Sequence, residues 1–424
     1  MQFIRKYVPQ LILFNIFTFV TTVSFSWHLA LIFIYSWLFF CLLDVDFKSS
    51  FKQLVTTKFS KIYLLHLLYI LFLFIGVLYS TNKDNAFEII LRHILLIIFP
   101  VLIVSSYRII KLNFNKILLA YIMANTLLMS IYLFFAIFRT VLLFVSSLSY
   151  YTIDQLLQQS SSFFFYEEFT QFAHPTYSAA SVVLSLYLLY YLAKNKLLPY
   201  YFNKAFALFL GVFLAFCVFL LSSKAGLICS VVVLLIILFS WIIEHRNIYT
   251  ISISIALIIL VSLTITTNRR LRTSFTHVSN NTKALNRTSK ESTDLRILLW
   301  ESASEVIKNN FVYGVGTGDA EIELSKTFLK KNQVPTVLNA HNQFIEILIE
   351  LGIIGLTVFL AMFFIPLFYS LRSKNYLFAI FVLIVIINFL FETMLNRVAG
   401  DIFVGFFFSL LFIFGDEKVE WLSS

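Results

Sequence analysis

Three residues of this 424-residue chain pair a charge or a titratable ring with a setting where such groups are costly: Lys224, Arg296 and His341. Lys224 stands in Leu221-Ser222-Ser223-Lys224-Ala225-Gly226, between two apolar runs whose connector holds only a few residues. A lysine there lies at a membrane surface, because an unpaired charge at depth is expensive. It either snorkels its ammonium to water along its own aliphatic stem or offers a fixed positive charge to an anionic headgroup. Arg296, in Asp294-Leu295-Arg296-Ile297-Leu298-Leu299-Trp300, shares a helical face with Trp300 four residues on. Stacking on that ring, or an ion pair with Asp294 or Glu301, is its structural option; gripping a phosphate is its chemical one. His341, in Asn339-Ala340-His341-Asn342-Gln343-Phe344, has Glu346 and Glu350 further along the same stretch. Most lone histidines are structural or solvated, yet an ordinary pKa of ~6.5 lets an imidazole exchange a proton near neutral pH.

Other chemistries are not supported. Tyr313-Gly314-Val315-Gly316-Thr317-Gly318-Asp319 holds three of the 11 glycines and reads as a tight turn, without the strand–turn–helix context of a dinucleotide loop. Cys41, Cys217 and Cys229 lie in apolar runs with no paired spacing, which suits core packing rather than disulfides or zinc. No Asp-x-Asp or His cluster in the outward-facing segments suggests a metal site, and no cofactor is expected.

The elements that must position these residues follow from composition. Hydrophobic residues make up 60% of the chain and charged residues 13%, against roughly 45–50% and 25% in soluble proteins. A water-soluble fold, a disordered chain, a coiled coil and a collagen-like fibre are all excluded. Apolar runs near the ~20 residues that cross a bilayer predict about twelve transmembrane helices, at 8–26, 28–43, 62–79, 87–104, 117–138, 175–193, 204–221, 225–243, 249–266, 343–366, 376–391 and 398–414. The first follows Arg5 and Lys6 but lacks a small-residue cleavage site, so it reads as a retained span.

Lysine and arginine placement orients these spans. Sixteen cations lie on one side: Arg5, Lys6, Lys48, Lys52, Lys58, Lys61, Arg108, Lys111, Lys116, Lys194, Lys196, Lys204, Arg246, Arg372, Lys374 and Lys418. The short segments opposite hold Lys83, Arg139, Lys224 and Arg397. Both termini are therefore expected in the cytoplasm. The net charge of +10 becomes an orientation signal, with membrane lipid as the partner and no nucleic acid implied. Two outer segments exceed simple connectors. Residues 139–173 turn from apolar to polar-aromatic. Residues 267–342 open with Arg269, Arg270 and Arg272, run through a Ser/Thr/Asn-rich 273–293, and carry Leu295, Leu298, Leu299, Ser302, Val306 and Ile307 at helical spacing. That spacing predicts an amphipathic helix over 294–308, resting on the membrane surface or on the bundle, with Asp294 at the positive end of its dipole.

In order along the chain, Ser222-Ser223-Lys224-Ala225-Gly226, Arg296-Ile297-Leu298-Leu299-Trp300, Gly314-Val315-Gly316-Thr317-Gly318, His341-Asn342-Gln343-Phe344-Ile345-Glu346 and Glu350-Leu351-Gly352-Ile353-Ile354-Gly355 resemble the O-antigen ligase/polymerase family. The resemblance covers roughly residues 210–365. His174-Pro175-Thr176-Tyr177 is similar to a further element of such proteins. Family members most often have Arg where this chain has Lys224, and lysine keeps the charge but lacks the planar fork that grips two phosphate oxygens at once.

The resemblance implies an all-α, GT-C-like polytopic membrane protein of the bacterial inner membrane, with one long outer loop over a periplasmic active site. Its expected organisation is N-terminal transmembrane helices over 1–203, a ligase-like core over 204–370 including the loop 267–342, and C-terminal helices with a short cytoplasmic tail over 371–424. The implied reaction is metal-independent, inverting transfer of a glycan from undecaprenyl pyrophosphate to a sugar hydroxyl, by ligation to the lipid A core or by polymerisation onto another lipid-linked repeat. His341 is then the general base or a phosphate contact, and Arg296 and Lys224 stabilise the leaving pyrophosphate. Arg269, Arg270, Arg272, Gly316, Asn342, His174 and Tyr177 are expected to contact substrate. An anion transporter is the rival class; Arg92 and His93 are the main ionisable residues within spans, and no half-chain repeat is visible.

Overall fold

In the computed structural model the described residues are 2–44, 46–57, 59–147, 151–248, 252, 292–332 and 339–415, and they form helices and turns with no strand among them. The N-terminal half comprises α1 (Gln2–Thr22), α2 (Trp27–Leu43), α3 (Phe47–Thr56), α4 (Ser60–Tyr79), α5 (Lys83–His93), α6 (Leu95–Ser105) and α7 (Tyr107–Ser147). The short α8 (Ile153–Ser161) and α9 (Tyr166–Phe169) lead into α10 (Pro175–Lys194), α11 (Lys204–Leu221) and α12 (Lys224–His245). After 249–291, of which only 252 is described, come α13 (Ser292–Asn309), α14 (Ala320–Asn332), α15 (Gln343–Ser373), α16 (Tyr376–Phe391) and α17 (Val398–Phe414). Many starts are set by capping side chains that accept an otherwise orphaned backbone N–H, among them Ser26, Asn82, Asn203, Ser223, Asn342 and Asn375.

Seven of these elements are long and apolar enough to cross a membrane: α4, the continuous pair α5–α6, α7, α10, α11, α12 and α15. The pair α2–α3 is bent by 107°, and α1, α16 and α17 are apolar but shorter. Apolar helices thus occupy eleven of the expected spans, and the span at 249–266 lies outside the described residues. Three details differ from the sequence reading. The span expected at 87–104 is broken at Ile94, α7 runs far past 117–138 at both ends, and α15 is kinked where Gly352 adopts φ 64°.

The centre of the bundle is α17. Every residue from Gly400 to Phe414 is buried, as a helix apolar on all faces requires. Lipid tails are as apolar as these side chains, so packing rather than water exclusion holds the helices together. Phe406 meets Phe19 and Phe99 edge-on or tilted at ring-centroid distances of 4.9 and 5.7 Å, and Phe408 meets Phe378 edge-on at 5.0 Å.

A second, smaller core lies beside the bundle. Leu298, Leu299, Ala303 and Val306 of α13 pack on Leu324 and Phe328 of α14 and on Ile349 of α15. The amphipathic helix expected over 294–308 is therefore present as α13, and its apolar face is covered by protein. The glycine turn between α13 and α14 fastens this layer down. Gly314 and Gly352 both have positive φ, and a Cβ on Gly314 would meet Glu350 O at 2.4 Å while one on Gly352 would meet Val312 O at 2.3 Å. Only glycine fits so close a backbone approach. Val315 N and Gly316 N donate to Ile349 O and Glu350 O, carbonyls freed by the kink in α15. On the other side, Asp319 accepts hydrogen bonds from Thr81 N, Thr81 Oγ1 and Asn82 N at the α4–α5 turn. Those bonds hold its carboxyl below the ordinary carboxylate range, against the upward push of burial.

Candidate functional site

His341 follows Asn339 and Ala340, which are in no helix, and precedes α15 by two residues. Its backbone sits in the left-handed region at φ 46°, which few non-glycine residues adopt, and its N–H is held by Asn339 Oδ1 at 3.1 Å. On one side Asn342 caps α15, accepting from Phe344 N and Ile345 N, while its Nδ2 donates to Leu390 O at the end of α16. On the other side Ala340 N donates to Glu346 Oε2 at 2.8 Å, and Ala340 O accepts from Trp300 Nε1 at 2.9 Å. The imidazole is thus carried on a backbone fixed from α13, α15 and α16 together.

The side chain meets a partner that sequence reading did not single out. His341 Nδ1 lies 3.2 Å from Glu392 Oε1, and Arg296 Nη2 lies 3.6 Å from Glu392 Oε2. Glu392 is the C-cap of α16, and its side chain is 14% exposed against 29% for His341 and 20% for Arg296. Burial pushes its carboxyl up, but the His341 hydrogen bond and the charges of His341, Arg296 and His174 prevail, leaving it below the usual range. Glu392 is therefore an anion at neutral pH, gripping a histidine with one oxygen and an arginine with the other. Arg296 makes this pair with Glu392, and Trp300 supports the backbone beside His341.

His174 and Tyr177 join the same end of the bundle. His174 caps α10 by accepting from Thr176 N at 3.3 Å through Nδ1, and its ring lies 6.0 Å from that of Tyr177. The charges of Glu392 and His341 both act on it, yet burial dominates and holds its pKa below the ordinary histidine value. Tyr177 Oη donates to Met394 O at 3.2 Å. Lys224 is the first residue of α12, half-buried, behind Ser222 in the left-handed conformation and the cap Ser223. Ser223 Oγ donates to Thr176 Oγ1 at 3.3 Å, which ties the Lys224 turn to the His174 turn.

Five residues expected at the site, His341, Arg296, Lys224, His174 and Tyr177, are therefore gathered on adjoining helix ends. Asn342 is also there, as a cap and tie. Gly316 is elsewhere: it lies in the glycine turn, where a Cβ would meet Ser80 Cα at 3.0 Å and Gly76 O at 3.1 Å, so packing accounts for it. Arg269, Arg270 and Arg272 lie outside the described residues. Beyond Glu392, the structure adds Arg397, exposed before α17 and close enough to act on His174 and Tyr177. A signal for both was available, since a charged residue at the end of an apolar run was the criterion that selected Lys224. Among the described residues no three His, Cys, Asp or Glu side chains converge as metal ligands.

The arrangement can hold a proton acceptor and several cations against one anionic substrate group. Residues 206–360 match the family model described as O-antigen ligase, which supports an O-antigen ligase/polymerase family and includes Lys224, Arg296, His341 and Asn342. His174, Tyr177, Glu392 and Arg397 lie outside the matched stretch. Comparison with curated proteins gave no match.

Proposed function

We propose that this end of the bundle is the active site of a membrane glycosyltransferase. It moves a glycan from a lipid-pyrophosphate donor, undecaprenyl pyrophosphate by resemblance, to a sugar hydroxyl, as in ligation to the lipid A core. The observation that carries this reading is the convergence of His341, Arg296 and Glu392 on the ends of three different helices, inside or beside the matched stretch. The cation-rich connections, such as the start of α7 and the turn after α10, lie at the opposite helix ends, so the positive-inside pattern supports a periplasmic site in the inner membrane.

Glu392 is ionised and faces Nδ1 of His341, and a neutral ring that donates Nδ1–H to it presents Nε2 as the base. The acceptor oxygen attacks the anomeric carbon as its proton passes to Nε2, and the bond from that carbon to the pyrophosphate oxygen breaks. The electron pair leaves with the lipid pyrophosphate, and attack opposite the leaving group inverts the configuration. Charge grows on the leaving group as the bond opens, and Arg296 and Lys224 stabilise it in a partly dehydrated setting. Side-chain cations thus do the work that a divalent ion does elsewhere, and transfer should survive a chelator.

Reconstitution of the purified chain with lipid-linked donor and core acceptor tests the reading: glycan on the acceptor supports it, and uptake of a small anion into liposomes with no transfer would replace it with a transporter. Polymerisation by the same cluster is separated in a deletion strain. Loss of a ligase leaves lipid-linked polymer that never reaches the core, whereas loss of a polymerase leaves the core capped with single repeats.

A further inference from the structure

Beside the His341 cluster lies a cavity of about 300 Å³ between the α1–α2 turn and helices α7, α10 and α17, with His174, Tyr177 and Arg397 in its wall. That volume is at the lower end of the roughly 300–1,000 Å³ typical of small-molecule sites. Its lining is unusual for helices that must satisfy their polar groups inside a membrane. Ser24 Oγ, Tyr121 Oη, Asn125 Oδ1 and Ser178 Oγ are all shielded and make no well-formed hydrogen bond among the described residues, although Tyr121 lies beside Ser181 and Asn125, and Ser178 beside Tyr132. Asn125 is 1% exposed and Ser178 6%. A buried polar group left unpaired costs ~1–3 kcal/mol, so a wall with four poorly paired oxygens favours a hydroxyl-bearing occupant.

The charge and shape of the wall narrow the class. No carboxylate or lysine lines it, and Arg397 is its single formal charge. Burial keeps the His174 ring neutral near pH 7. Trp27, Phe172 and Tyr177 supply aromatic surface next to the hydroxyl and amide groups. A prenyl chain would cover the rings and leave the oxygens unmet, and a phosphate would find one cation. An uncharged sugar ring satisfies both, with polar edges for the oxygens and C–H faces for the aromatics.

We propose that this cavity is a sugar subsite, which takes one uncharged pyranose of the glycan and holds it beside His174, within reach of the His341–Glu392–Arg296 cluster. The proposal rests on the glycosyl-transfer reading and names where one of its sugars sits. It gives His174 a double position, on the cavity wall and in the field of Glu392.

Saturation-transfer NMR on the full-length chain in detergent tests it, with methyl α-glucoside, methyl α-galactoside and N-acetylglucosamine as sugar probes and farnesol as the prenyl probe. The expected result is transfer to the ring protons of at least one sugar. Affinity should fall about tenfold in Asn125→Leu, the effect of one lost buried hydrogen bond. It should fall also in Ser24→Ala, which keeps the α1–α2 turn, and stay unchanged in Lys326→Ala, on the exposed face of α14. Signals that ignore both cavity substitutions, or no sugar signal at all, would overturn the subsite. So would saturation of farnesol alone that Ser178→Phe removes. Sugar binding with this pattern in a chain that transfers no glycan would sustain the subsite and overturn the reaction.

Discussion

Two histidine–carboxylate pairs with an arginine at hand stand in this molecule, and they differ chiefly in what surrounds them. At the bundle end, His341 Nδ1 is 3.2 Å from Glu392 and Arg296 flanks the carboxylate. In the interior, His93 Nδ1 is 3.1 Å from Asp401, with Arg92 adjacent in sequence and near enough to act on the carboxylate. The inner pair has side chains 2% and 0% exposed, joins α5 to α17, and is stacked on Tyr69 at 5.8 Å. No substrate reaches it without unpacking the central helix. The outer pair keeps 29% of His341 open and sits where α10, α12, α13, α15 and α16 all end. The same side-chain types therefore suit an internal brace in one place and the proposed reaction centre in the other, and access separates them.

Substitutions should divide along that line. The largest effect is expected on the inner pair: His93→Ala strands Asp401 in the core, and breaking a buried pair costs ~3–5 kcal/mol. Thermal unfolding in detergent should show that loss, with transfer per folded molecule near normal. Equal stability to wild type would make the inner pair something other than a brace. At the outer pair, Glu392→Gln keeps the shape but removes the anion that orients the base. Transfer should drop about 10- to 100-fold, while the melting temperature should fall less than in His93→Ala, since the outer pair is the more open of the two. Lys224→Arg should retain or raise transfer because the fork adds a second phosphate contact, whereas Lys224→Ala should weaken donor binding. An arginine variant as impaired as the alanine one would remove lysine from the phosphate.

The smallest effect is a pH dependence. The folded pKa of His174 lies below its unfolded value of ~6.5. Folded His174 therefore refuses a proton that the unfolded chain takes, and stability falls as pH drops through 6.5, levelling off below the folded value. Protonation of Nδ1 would also remove the cap on Thr176 N. His174→Asn keeps a capping oxygen without the titration, so its melting temperature should fall less between pH 7.5 and 5.5. Identical slopes would show that the His174 cap does not titrate in this range.

Much of the bundle was legible because a membrane span writes itself as an apolar run, and α13 because its leucines recur at helical spacing. Arg296 and His341 were legible for a different reason, as charged or titratable residues at the edges of such runs. The pairing of Glu392 with His341 was not, since the two lie 51 residues apart in no shared motif, and only the packing of α16 against the start of α15 brings them together. Gly316 shows another side of this: the resemblance implied a substrate contact, whereas the turn's close approach to α4 and to the kink of α15 accounts for a small residue there. Asp401 hid in an apolar helix whose central position becomes evident only once its neighbours are placed.

Single-turnover transfer from a lipid-linked donor by His341→Ala, compared with wild type at matched folded protein, bears most directly on the reaction centre. With general-base assistance removed, the rate should fall about 10²- to 10⁴-fold with unchanged melting temperature. Wild-type transfer by His341→Ala would contradict the assignment of this histidine, and with it the role of the cluster that Glu392 assembles.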